Sequence, residues 1–92
     1  MTNFVTGNFD VCGTSLVGTI NTSYERLVAR FGKPTQYEED GKVQVEWNIK
    51  FNDGTLATIY DWKEVVAPQK VTEWHVGGFN EMALVNVIDE VI

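Results

Sequence analysis

This chain is short of almost everything that chemistry usually needs. It has one cysteine, Cys12, which excludes an intrachain disulfide and any metal cluster built on several thiolates. Its one histidine, His75, cannot supply an ordinary zinc site without carboxylate help. Lysine and arginine number 7 against 13 acidic residues, a net charge of −6. A direct grip on DNA or RNA needs clustered cations against the phosphates, so that class is set aside. No apolar run approaches the roughly 18 residues of a membrane span. The start, MTNFVTGNFDV, lacks the basic-then-apolar pattern of a secretion signal. These absences lead us to expect a cytoplasmic chain with no cofactor, no metal and no membrane partner.

What is present suffices for a folded domain. The 92 residues make one domain, and an apolar share of 43% with three Trp, three Tyr and five Phe argues against disorder. A chain this short buries only about 60 to 65% of its unfolded surface, and assembly into a homo-oligomer is one way to add to that. The acidic balance raises the idea that carboxylates imitate a nucleic acid towards a basic partner. The acids are scattered, however; only Glu38-Glu39-Asp40 form a run, Lys42 follows at once, and a solvated loop is the plain account of it.

Residues 1–14 carry weak pattern and many Thr, Asn and Gly, and read as an arm or an irregular edge segment. Leu16 to Ile20 reads as a short strand weakened by Gly18. Thr22-Ser23-Tyr24-Glu25 fits a capping box with Thr22 as the cap. Behind it Tyr24, Leu27, Val28 and Phe31 fall on one helix face, and Gly32 and Pro34 end the helix. Val43 to Lys63 reads as two alternating strands joined at Asp53-Gly54. A two-residue turn there pairs Asn52 with Thr55. Phe51 then faces Leu56, Ile49 faces Thr58, Trp47 faces Tyr60 and Val45 faces Trp62, all on one side. The same register sets Glu46 opposite Asp61 on the other side. Past Pro68, Lys70 to Val76 suggests a third strand. From Phe79 a last helix is expected, with Asn80 as its cap, Phe79 and Leu84 as a staple, and Leu84, Val87, Ile88 and Val91 as the buried stripe. The fold class is α+β: a small antiparallel sheet of three to four strands with two helices packed on one face.

Candidate chemistry is sparse. Gly77-Gly78 lead from a strand towards a helix start, where free amides suit a phosphate or carboxylate; a tight strand-to-helix turn is the structural alternative. Trp74 and His75 beside them could stack on a base or bond an anion. Trp47, Tyr60 and Trp62 are either core or a stacking shelf, and Trp62 and Trp74 sit near strand ends. Glu46 and Asp61 could share a proton or a cation, but an exposed pair relieved by Lys63 is the simpler account. Nothing sets His75 near Cys12 for a nucleophilic dyad. The ligand-binding candidates are therefore Trp62, Lys63, Trp74, His75, Gly77 and Gly78, with no catalytic residue and no metal ligand.

Phe31-Gly32-Lys33-Pro34, Glu46-Trp47-Asn48-Ile49-Lys50-Phe51, Asp53-Gly54-Thr55, Ala57-Thr58-Ile59-Tyr60-Asp61-Trp62-Lys63 and Trp74-His75-Val76-Gly77-Gly78 together resemble a group of small bacteriophage accessory proteins. The resemblance spans about residues 15–78 and brings no catalytic motif with it. Phage proteins of this size are often counter-defence factors, so it implies the cytoplasm of an infected bacterium as the setting. Two functions follow as expectations. The first, preferred to the other, is a sponge that sequesters a small phosphorylated nucleotide signal of host immunity, its phosphate on the Gly77-Gly78 amides, its base on Trp62 or Trp74, and Lys63, Lys70 and Arg26 or Arg30 converging on the charge. The other is an acidic inhibitor, of the anti-CRISPR kind, that covers a basic surface of a host defence protein. An enzyme using Glu46, Asp61 or His75 is the third and least supported.

Overall fold

The computed structural model describes residues 3–37 and 43–91; the acidic run at Glu38-Glu39-Asp40 lies outside the described residues. The chain runs β1 (Phe4–Thr6), β2 (Ser15–Asn21), α1 (Tyr24–Phe31), β3 (Gln36–Tyr37), β4 (Val45–Phe51), β5 (Leu56–Tyr60), a single 3-10 turn at Pro68–Lys70, β6 (Glu73–Gly78) and α2 (Met82–Val91). The α+β class stands, but among the described residues the sheet has six strands rather than three or four. The additions come from stretches too short to show a pattern. Of the two readings of the N-terminal segment, arm or edge segment, residues 4–6 take the second and pair with β4, and β3 pairs with the other end of β4. The order is β1-β4-β5-β6-β2, with β3 beside β1 on the outer side of β4, antiparallel throughout.

Helix α1 forms where its apolar spacing demands. Leu27 and Phe31 are buried, with Tyr24 and Val28 packed against the same core. The cap sits one residue later than the capping box suggests: the Ser23 hydroxyl, not that of Thr22, accepts from the Arg26 amide at 3.1 Å. Gly32 ends the helix at φ 81°, its amide donating to the Val28 carbonyl at 2.8 Å. Without a Cβ that backbone is not strained. The Trp47 indole then donates to the Gly32 carbonyl at 2.8 Å, tying the helix end to β4.

The β4–β5 hairpin corrects the expected register by one residue. The loop has three residues, not two: the Phe51 amide donates to the Thr55 carbonyl and the Gly54 amide to the Phe51 carbonyl. Gly54 takes φ 90° and Asp53 accepts from the Thr55 amide at 2.9 Å, as in a hairpin that closes on a left-handed glycine. Trp47 therefore faces Ile59, Ile49 faces Ala57 and Glu46 faces Tyr60. A slip of one residue turns every side chain of the second strand over. Trp47 and Tyr60 lie on opposite faces, and so do Glu46 and Asp61. Trp47, Ile49, Ala57, Ile59, Trp74 and Val76 form the core with Leu27, Phe31, Ala83 and Val87 from the helices.

Helix α2 starts where Asn80 accepts the Met82 amide at 2.9 Å. The expected staple is absent, for Phe79 is exposed and Leu84 packs towards β2. An added Cβ at Gly18 would lie 2.5 Å from a Leu84 methyl, and one at Gly78 would lie 2.3 Å from the Ala83 Cβ. These two glycines let the helix close onto the sheet. No helix among the described residues is long and apolar enough to cross a membrane.

Candidate functional site

The face of the sheet opposite Trp47, Ile59 and Val76 carries a transverse row of side chains fixed by strand register. Thr19 pairs with His75, His75 with Tyr60 and Tyr60 with Glu46. Alternation puts all four on one side, and Trp62 continues that side just beyond β5. The rings of Tyr60, Trp62 and His75 form a triangle, with centroids 6.3, 5.6 and 6.3 Å apart. Tyr60 and His75 are half-buried, whereas Trp62 keeps 39% of its surface exposed. Lys63, held at φ 53°, brings its ammonium within 5.8 Å of the Trp62 ring centroid, within cation–π range. Burial, and after it the Glu46 charge, holds the Tyr60 phenol above its usual 10.0.

One row deeper, Gly77 pairs with Thr58 and Thr58 with Asn48. A Cβ at Gly77 would meet the Thr58 hydroxyl at 2.5 Å and the Tyr60 ring at 3.6 Å, so the missing side chain lets these groups close over β6. Asn48 is fully buried, and neither amide atom finds a partner among the described residues.

Of the residues the sequence singles out, Trp62, Lys63 and His75 come together here, and the corrected register adds Tyr60 and Glu46. Trp74 does not join them. It is fully buried, edge-on to Trp47 at 5.5 Å, with its indole donated to the Thr22 carbonyl at 3.2 Å. Gly77 and Gly78 are strand residues with a paired strand on each side. The amides expected to cradle an anion lie within the sheet, and Gly78 backs onto α2. Arg30 does not join Lys63 here either. Arg30 forms an ion pair with Glu90 and lies 5.4 Å from the Phe4 ring centroid, at the β1 side of the molecule. Asp61 is a buried anchor rather than half of an acid–base couple. It accepts from the Gln44 amide at 2.7 Å, the Gln44 side chain at 2.8 Å and the Val45 amide at 3.1 Å.

Elsewhere a depression of about 380 Å³ is lined by Asn3, Arg30, Asp53, Asn86, Asp89 and Glu90 among others. Arg30 is paired with Glu90, and Asp53 holds the Thr55 amide and the Asn86 side chain. Two of its charges thus answer each other, and a third is bonded to neutral donors. Among the described residues no group of three His, Cys, Asp or Glu could hold a metal ion. Comparison with protein families, with characterised proteins and with solved structures finds no match to this chain.

Proposed function

We propose that this chain is a non-catalytic binding domain, a phage counter-defence inhibitor that covers a basic surface of a host defence protein in the cytoplasm of the infected cell. The observation that carries this reading is the row Glu46–Tyr60–His75 with Trp62 and Lys63 on the second sheet face. Half-exposed Tyr and Trp side chains dominate protein contacts because each buries a large rigid area for few frozen rotors. A net charge of −6 steers such a face towards a cationic partner and away from anions. The group resembled in the sequence supplies the phage setting.

The test is affinity capture from bacterial lysate with the wild-type chain and with Trp62→Ala, followed by titration of the captured protein. Loss of a contact of this kind costs at least about 2 kcal/mol, roughly a thirtyfold weaker Kd. Binding should also weaken as salt screens the charge pairing. Equal binding by wild type and Trp62→Ala would end this reading.

A nucleotide sponge is the second reading, and one feature favours it. Lys63 stands against the Trp62 ring, so a base stacked on Trp62, worth roughly 1 to 3 kcal/mol, would place its phosphate near a cation. Glu46 on the same row opposes that phosphate. Calorimetry against a panel of cyclic nucleotides separates the two readings: heat that disappears in Trp62→Ala selects the sponge, and no heat selects the protein inhibitor.

A further inference from the structure

We propose that the chain forms a two-fold dimer by pairing strand β2 with β2 of a second copy. The two sides of the sheet differ. The outer side of β4 is occupied by β1 and β3, whereas β2, the seven residues Ser15–Asn21, pairs among the described residues only with β6. The Thr22 amide donates to the Thr72 carbonyl at 3.0 Å, and Ile20 pairs with Trp74 in the same phase. Bonded positions alternate along an antiparallel ladder. The main-chain groups of Thr19 and Asn21 therefore point out from the sheet, as a template for another strand. A bulge between Leu16 and Gly18 confines that template to the Gly18–Asn21 end.

Charge selects the occupant. With 13 acidic residues against 7 basic ones, the chain repels its own copies over most surfaces. Strand β2, SLVGTIN, carries no charged residue. Nor does the groove of about 300 Å³ beside it, lined by Thr19, Ile20, Asn21, Ile88 and Val91. A cationic partner finds no charge to answer there, while a second copy finds no like charge to oppose it. The geometry is also self-complementary. With the axis through Ile20, Thr19 of each copy exchanges main-chain bonds with Asn21 of the other. The two Ile20 side chains meet as a close, non-bonded pair, and the grooves formed with Ile88 and Val91 join above them. The result is one continuous sheet with the ring rows of both copies on its second face.

Sedimentation equilibrium over a concentration series tests this. The mass should rise from the 10.4 kDa of the monomer towards twice that value. Thr19→Pro removes an outward amide and leaves the bonds to β6, as proline is tolerated at an edge. Asn21→Asp places carboxylates beside the axis without altering the backbone. Both variants should sediment as monomers at concentrations where the wild type dimerises. Exchange of the Thr19 and Asn21 amides should slow as concentration rises, a readout that stands even if Thr19→Pro fails to fold. A wild type that stays monomeric at every concentration would overturn the proposal. So would a dimer that persists in Asn21→Asp with those two amides unprotected.

Discussion

The sharpest consequence of the packing concerns Gly78, where an added methyl has nowhere to go. Its Cβ would lie 2.3 Å from the Ala83 Cβ, while the next atoms, the Asn80 and Leu56 carbonyl oxygens, are at 3.4 Å. Forcing one methyl into such a contact costs about 1 to 3 kcal/mol, and this overlap belongs at the upper end because α2 must back off the sheet. Ala83→Gly removes the offending atom at a cost of about 1 kcal/mol in helix propensity and about 0.8 kcal/mol of lost apolar burial, a sum near 2 kcal/mol. If the two sites were independent, the double variant would lose about 5 kcal/mol; with the clash relieved it should lose about 2 kcal/mol. Urea unfolding, followed through the buried Trp47 and Trp74, reads the difference as roughly 1 to 3 M in midpoint. Additivity within about 0.5 kcal/mol would refute the contact. It would also reopen the idea that Gly78 is kept for a ligand and not for the helix.

Asp61→Asn should cost about 2 to 4 kcal/mol, because three N–H donors converge on the carboxylate and the amide turns a donor towards them; a melting temperature unchanged by the substitution would contradict this. Asn48→Leu should instead stabilise the fold by roughly 1 to 3 kcal/mol, since both amide atoms lack partners among the described residues; thermal melting checks it, and a loss of stability would show that the amide is bonded. The raised pKa of Tyr60 gives a contribution fully present below the unfolded value near 10.0 and lost as pH rises through the folded one. Stability measured from pH 9 upward should therefore fall more steeply for wild type than for Tyr60→Phe, and parallel curves would sink that linkage.

Parts of this fold are legible in the residues, and the failures have physical reasons. Tyr24, Leu27, Val28 and Phe31 announce α1 because a polar face separates them from everything else. Its cap is displaced by one position because Thr22 and Ser23 are adjacent hydroxyls and either can serve. The hairpin is legible at Asp53-Gly54, but its register is not. In β5 Ala57, Thr58 and Ile59 are all buried, so there is no polar side to choose between the two phases. Strand β1 is three residues, too few to alternate. Glycine at Gly77 and Gly78 signals close approach, and only the position of α2 and Thr58 decides what approaches. At the candidate site, Trp62, Lys63 and His75 are legible as residue types suited to binding, but not as a group apart from Trp74 and the glycines. Tyr60 and Glu46 joined them only through the register, which is a long-range fact.

The claim that the second sheet face is the binding surface is most directly tested by a 1H–15N spectrum of the labelled chain recorded with and without clarified bacterial lysate. Three indole signals are expected, two from tryptophans whose N–H groups donate to backbone carbonyls in the core, Trp47 and Trp74, and one from Trp62. The account predicts that the Trp62 indole and the amides of Tyr60 and His75 shift or broaden in lysate while the two core indoles stay in place. Changes confined to α2, or an unchanged Trp62 signal beside shifts elsewhere, would contradict it.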